Sequence, residues 1–120
     1  MTRDIETPTD LVAIYCTVPD NEAGTVDLPR QLVATGLIAC VNVFRGVHST
    51  YRWEGEVVVD EPEAVLIAKT KRSHLPAAMT AIHEAHPYET PCVVAYPAEA
   101  ALADYTGWVG LCLAPADGER

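Results

Sequence analysis

The sequence predicts an α+β domain of the ferredoxin-like kind, with two helices on one face of an antiparallel sheet, and three observations predict it. Apolar β-rich runs and helical stripes follow the order β-α-β-β-α-β, with a short helix after them. The second and third strands are long and joined by a tight turn. The 120 residues, 49% hydrophobic and 21% charged, have the size and balance of one domain with one core.

The elements can be justified in order. Residues 1–10 carry Thr, Pro and charge and read as a flexible N-terminal arm, with the domain proper at 11–113. Leu11–Val18 is an eight-residue apolar, β-rich run, the mark of a strand covered on both faces. Residues 19–24 have turn chemistry. Leu28, Leu32 and Val33 then fall on one helical stripe, and Gly36 supplies the stop. Pro29 is comfortable only in a first turn, so this helix starts near Asp27 or kinks there.

Residues 37–54 alternate. Odd positions bring Leu37, Ala39, Val41, Val43, Val47, Tyr51 and Trp53; even positions bring Asn42, His48, Thr50, Arg52 and Glu54. Such a strand far exceeds the usual length of about 5–6 residues, and Gly46 marks a bulge or bend within it. Glu54-Gly55 turns the chain into residues 57–59 and 65–70, with the acidic break Asp60-Glu61-Pro62-Glu63 between them. Pro62 cannot donate a ladder hydrogen bond and must face an edge or bulge. The hairpin tip projects beyond a globule of this size. An exposed apolar hairpin aggregates unless covered, and copies of itself are the simplest cover. Oligomerisation follows from the pattern.

Ser73 reads as a helix N-cap, with Pro76 in the first turn. Leu75, Ala78, Met79 and Ile82 share a helical face, and Pro87 ends it. After HPYETP, residues 92–96 form a short strand closed by Pro97. Leu102, Tyr105, Trp108 and Leu111 indicate a final helix, weakened by Gly107 and Gly110. Residues 114–120 read as a disordered tail.

Net charge is −9, from 17 acidic and 8 scattered basic residues, which argues against a nucleic-acid partner. No run approaches the roughly 18 apolar residues of a membrane span. The charged opening (Arg3, Asp4, Glu6, Asp10) is unlike a secretory leader. Cys16, Cys40, Cys92 and Cys112 form no CxxC pair and sit in apolar runs, as buried free thiols of a reducing cytoplasm do. Gly-rich phosphate loops, GxSxG and HExxH are absent. Cys16 lies mid-strand, where packing alone explains it, and the acids at 60–63 read as a solvated edge. No acid, base and nucleophile set assembles, so the chain does not read as an enzyme. His83 and His86, at i and i+3, can share a helix face; the plain reading is that one caps the helix C-terminus and the other is solvated.

Five segments together resemble one family: Ile14-Tyr15-Cys16-Thr17-Val18-Pro19, Leu37-Ile38-Ala39-Cys40-Val41-Asn42, Tyr51-Arg52-Trp53-Glu54-Gly55, Ile67-Ala68-Lys69-Thr70 and His86-Pro87-Tyr88-Glu89-Thr90-Pro91. In this order and spacing they are similar to the CutA family, named for divalent-cation tolerance, over nearly the whole chain. The resemblance implies a ferredoxin-like, PII-like homotrimer whose long hairpins interlock across subunits. It also implies a soluble protein linked to copper and other divalent metals, with no established reaction and no obligatory cofactor.

For a copper or zinc ion the resemblance implies Cys16 and His86, a thiolate and imidazole pair that suits either metal. Ala85 stands where the family has a further His, so His83, one turn back, is the remaining candidate ligand in a different geometry. A second candidate is an intersubunit cleft of Tyr51, Trp53, Glu61, Lys69 and Tyr88. Its aromatic walls and convergent charges suit a small anionic or zwitterionic ligand, or else act as interface anchors. The expected function is a cytoplasmic homotrimer whose partners are its own copies and divalent metal ions, with no nucleic acid and no membrane. A PII-like small-ligand signalling module and a scaffold trimer are the alternatives. The tight Glu54-Gly55 turn weighs against the long mobile loop of PII signalling.

Overall fold

The apolar run at 11–18 becomes the strand around which the molecule is built. In a computed structural model of the chain, which describes residues 4–115, β1 is Ile5–Glu6 and β2 is Leu11–Val18. There follow α1 (Leu28–Ala34), β3 (Cys40–Trp53), β4 (Glu56–Lys71), α2 (Leu75–Ala85), β5 (Val93–Pro97), β6 (Ala101–Leu102) and α3 (Ala103–Cys112). The main sheet is antiparallel in the order β3-β4-β2-β5. With α1 and α2 on one face, this is the expected βαββαβ ferredoxin-like arrangement.

The period of two along a strand sends alternate residues to opposite faces. Ile14, Cys16 and Val18 of β2 and Ala64, Leu66 and Ala68 of β4 meet Leu28 and Leu32 of α1 and Ala78 and Ile82 of α2. The other parity of β2, Ala13, Tyr15 and Thr17, is only half-buried. Burial on both faces, expected from the continuous apolar run, is met along the helix-facing side and on the other side only at Leu11, where α3 covers the end of the strand.

Pro29 sits in the first turn of α1, directly after a π-helical turn at Ala23–Asp27, so the chain absorbs it without a mid-helix break. Val33 is 42% exposed, not core. In a seven-residue helix the inward stripe holds Leu28 and Leu32 only. Gly36, at φ +76, ends the helix.

The long hairpin forms with two bulges. The first lies between Phe44 and Val47, with Gly46 at φ +73. Asp20 pins it, accepting from Arg45 Nε at 2.6 Å and from the Gly46 N–H at 3.2 Å. The Arg45 hydrogen bond, then that of Gly46, holds the Asp20 carboxyl below its ordinary range. The acidic break expected to split the third strand is instead taken up inside one 16-residue strand. Asp60 (φ +61) forms the second bulge, opposite the step from Ser49 to Tyr51. Pro62 faces His48 where β4 has only β3 beside it, since pairing with β2 begins at Ala64. Glu54 and Gly55 both have positive φ, the mirror-image turn that matches strand twist in a two-residue hairpin. The ribbon stretches the molecule to 50 × 30 × 24 Å. Its radius of gyration is 15.6 Å, where a compact chain of this length has about 13.6 Å.

Four local expectations need correction. Ser73 does not cap α2: a 3-10 turn at Arg72–His74 intervenes, His74 takes the cap position, and the Ser73 hydroxyl bonds its Nδ1 at 2.7 Å. In α3 the buried residues are Thr106 and Val109, while Leu102, Trp108 and Leu111 are exposed. This helix docks on Leu11 and Ala39 at the end of the sheet through Val109, with Tyr105 of the expected stripe packed beside it, so the buried face is turned part of the way round from that stripe. Within the arm, Ile5 and Glu6 pair with Leu102 and Ala101 as a short ladder. At the start of the tail, the Ala114 N–H donates to the Gly36 carbonyl at 2.9 Å, and the Ala114 carbonyl meets His74 Nε2. Residues 1–3 and 116–120 lie outside the described residues.

Candidate functional site

Two structures meet at Thr17, near the end of β2. Pro87 stops α2, so His86 leaves the helix with ψ 135 and its ring folds back over the strand end. His86 Nε2 lies 2.7 Å from the Thr17 carbonyl oxygen, and Nδ1 accepts the Tyr88 N–H at 3.2 Å. With Nδ1 an acceptor, Nε2 carries the proton and donates to Thr17, which makes the imidazole neutral. The Tyr88 ring stacks at a tilt on that of His86, centroids 4.7 Å apart.

Cys16 reaches the same carbonyl: its Sγ donates to Thr17 O at 3.6 Å. The side chain is 1% exposed, on the helix-facing side of β2. Burial first, then the neighbouring Cys92 and Glu63, pushes the thiol up from 9.0 to about 12. Cys16 and His86 therefore come together through one carbonyl. His83 does not join them. It is exposed on α2, beside a shallow hollow shared with Glu84 and Glu89. Among the described residues, no three His, Cys, Asp or Glu side chains converge as a metal-ligand group.

On the other face of the sheet lies a cleft of about 570 Å³. The register explains its walls. Thr17 is opposite Val65, Val47 opposite Glu63, and Ser49 opposite Glu61. The bulge at Asp60 places its extra residue on β4, so Ser49, Tyr51 and Trp53 keep one face along β3. Of the residues named above for an intersubunit cleft, Tyr51, Trp53, Glu61 and Tyr88 line this cleft of the single chain, and the loop 89–92 closes the far side. Lys69 is not part of this lining in the single chain. It stands eight positions from Glu61 on the same strand, roughly 26 Å of extended backbone, and donates to Asn42 Oδ1 at 2.7 Å.

Glu63 is the most buried charged side chain among the lining residues that the sequence reading did not name. It is 5% exposed, and Tyr88 Oη donates to its Oε2 at 3.1 Å. Burial, followed by the Glu63 charge and hydrogen bond, raises the Tyr88 hydroxyl from 10.0 to about 12. A signal existed: alternation through 63, 65 and 67 puts Glu63 on the face of Val65 and Ile67. Without Lys69 the lining holds three carboxylates, Glu61, Glu63 and Glu89, and no basic side chain.

Fold and site together define a class, a ferredoxin-like α+β domain with an extended β-ribbon over an acidic, aromatic-walled cleft. Known proteins narrow it. The family model of the CutA1 divalent ion tolerance protein matches residues 12–111. The divalent-cation tolerance protein CutA of Pectobacterium atrosepticum is 36% identical over 104 residues, 87% of this chain and 93% of that one. CutA1 from Oryza sativa has a TM-score of 0.83 at 34% identity, covering 92% of this chain and 98% of its own. The CutA of Archaeoglobus fulgidus, described as a periplasmic divalent cation tolerance protein, has a TM-score of 0.80 at 29% identity, covering 85% and 97%. This chain belongs to the CutA1 divalent ion tolerance family, as its five sequence segments imply. Among the described residues no helix is long and apolar enough to cross a membrane.

Proposed function

We propose that this chain serves cation tolerance as a homotrimeric binding protein, with a copper or zinc ion as cargo and Cys16 and His86 as the residues that take it. The observation that carries the reading is the convergence of Cys16 and His86 on the Thr17 carbonyl. Uptake exchanges the His86–Thr17 hydrogen bond and the Cys16 proton for bonds to the ion, so binding releases a proton. Thiolate with imidazole matches the softness of copper and zinc. His83 completes the set only if the chain beyond Ala85 shifts, so the reading rests on the first two residues.

Turnover is not part of the proposal. A thiol raised to about 12 is protonated at neutral pH and makes a poor nucleophile. The homotrimer is supported by the uncovered sheet face, where the row Asn42, Ile67, Tyr15 and Val94 lies beside Phe44, Val65 and Thr17. All four cysteines are unpaired, which suits a reducing cytoplasm.

The test is a chelator-competition titration of Cu(I), Cu(II) and Zn(II) against the reduced protein and its Cys16→Ser and His86→Ala variants. Saturable binding of one ion per chain, weakened about tenfold or more in each variant, supports the reading. Non-stoichiometric binding indifferent to both substitutions overturns it. The cleft carries a second reading, a small-ligand module of the PII-like kind, and the buried Glu63 is the observation that favours it.

A further inference from the structure

Tyr88 makes three contacts that belong to two different places. Its backbone N–H donates to His86 Nδ1 at 3.2 Å, and its ring lies against the imidazole with centroids 4.7 Å apart. Its hydroxyl donates to Glu63 Oε2 at 3.1 Å. His86 belongs with Cys16, at the Thr17 carbonyl. Glu63, 5% exposed, stands on β4 opposite Val47, on the sheet face turned away from the helices. That is the face on which copies of this chain close in the proposed trimer. One residue touches both the ion-binding pair and the contact face.

The hydrogen bonds around His86 leave Nδ1 one role. A backbone N–H only donates, so Nδ1 accepts through its lone pair and the ring proton sits on Nε2, facing the Thr17 carbonyl. An imidazole bound to an ion is neutral and keeps its proton on the nitrogen that the ion does not use. If Nε2 takes the ion, that proton moves to Nδ1, and two N–H groups then face each other across 3.2 Å. If Nδ1 takes the ion, its lone pair is spent, and Nε2–H stays on Thr17 as the orienting bond. Either way Nδ1 ceases to accept. The Tyr88 N–H must then turn toward another partner. Pro87 fixes its own φ, so the peptide plane turns about Pro87 ψ and Tyr88 φ, and the Tyr88 side chain moves with it.

We infer that Tyr88 couples ion uptake at His86 to the subunit-contact face: occupation of His86 releases the Tyr88 N–H, and the turn at residues 87–88 draws the hydroxyl off Glu63. In the ion-free protein the two hydrogen bonds hold Tyr88 in one place. Tyr88 is thus a positioning residue, which keeps His86 bonded to Thr17. Coupling is reciprocal: whatever holds Tyr88 on Glu63 weakens ion binding, and whatever frees it strengthens binding. The face need not open, since Tyr88 and Glu63 act where other copies cover them. This inference rests on the metal reading of Cys16 and His86.

The experiment titrates zinc, which is diamagnetic, into the reduced, isotopically labelled full chain and into Tyr88→Phe. Proton–nitrogen spectra of the imidazoles read His86, while the Tyr88 amide and ring resonances read the coupling. Without zinc, His86 is expected to show an unprotonated Nδ1 and a protonated Nε2. With zinc, the His86 pattern changes, and the Tyr88 amide and ring resonances move at the same zinc concentration. Tyr88→Phe keeps the N–H and the ring but is free of Glu63. It is expected to bind zinc about fivefold or more tightly, the scale of one hydrogen bond to a charged group. Damage to the fold would weaken binding instead, so the sign separates coupling from a merely structural role. Glu63→Gln, expected to tighten binding by a smaller factor, tests the same bond should Tyr88→Phe fail to fold. Zinc that shifts the His86 ring but leaves Tyr88 unmoved overturns the inference and leaves the metal reading standing. Equal or weaker zinc affinity in the folded variants overturns it as well. A His86 ring indifferent to saturating zinc overturns the metal reading, and this inference with it.

Discussion

His86 Nε2 donates a 2.7 Å hydrogen bond to the carbonyl oxygen of Thr17, 69 positions earlier in the chain, and so ties the loop after α2 to the end of β2. The carbonyl is near the strand end, beyond the first residue of β5, where no ladder partner is supplied by that strand. His86→Ala removes its principal donor. The expected cost is about 1–3 kcal/mol in urea denaturation, the penalty for a buried polar group left short of a partner. A loss below about 0.5 kcal/mol, the level of an ordinary surface change, would show that the bond does not hold the loop.

Alkaline pH tests the burial of Cys16. Its thiol is raised from 9.0 to about 12, so between these values the folded state keeps a proton that the unfolded state has released. Stability from this group is whole below pH 9 and is lost as pH rises toward 12. Tyr88 and Tyr105, each raised from 10.0 to about 12, act in the same direction above pH 10. Denaturation midpoints measured from pH 8 to 11 are expected to fall, and Cys16→Ala should flatten the first part of that fall. A profile unchanged by the substitution would mean that the thiol titrates alike in both states.

Assembly is read by light scattering. The proposed homotrimer should run at three times 13.0 kDa, about 39 kDa. Ile67 lies between Asn42 and Tyr15 in the middle row of the uncovered sheet face. Ile67→Lys places a charge there and is expected to release chains of 13.0 kDa with unchanged far-UV circular dichroism. A trimer that survives Ile67→Lys would have to be held by the ribbons instead of this face.

Two glycines at similar φ should respond differently to Ala. Gly55, at φ +82, has nothing within 4 Å of an added Cβ, so Gly55→Ala carries backbone strain alone, about 1 kcal/mol. At Gly36, φ +76, the same carbon would come within 2.7 Å of Ala114 N and Cβ. That approach would also disturb the Ala114 N–H bond to Gly36 O. Gly36→Ala is expected to lower the thermal midpoint clearly more than Gly55→Ala. Equal shifts would show that the segment at Ala114 moves aside freely.

Much of this molecule is legible in one dimension. The β-α-β-β-α-β order, the two-residue turn at Glu54-Gly55, the bulge at Gly46 and the family itself come from local patterns. A turn needing two positive φ values, a proline at a helix end and a period of two are each written in a few adjacent residues. Tyr51, Trp53 and Tyr88 lie within the family segments, which is how the sequence draws attention to them; Glu61 lies outside those segments.

What the tertiary structure decided is which side of each element is covered and which distant groups meet. Val33 and Leu111 look like core in sequence yet lie outside, at 42% and 87% exposure, because long-range docking turned a different face of each helix inward. Lys69 and Glu61 share a strand but stand a ribbon's length apart. Glu63, written within an acidic break, is buried because Tyr88 and the loop after it fold across β4. Cys16 and His86 meet at a backbone carbonyl, a group every residue possesses and no sequence pattern marks. Local propensity sets the elements, but the partner of a polar group is set by packing between segments dozens of residues apart, and that is where the chemistry of this site arises.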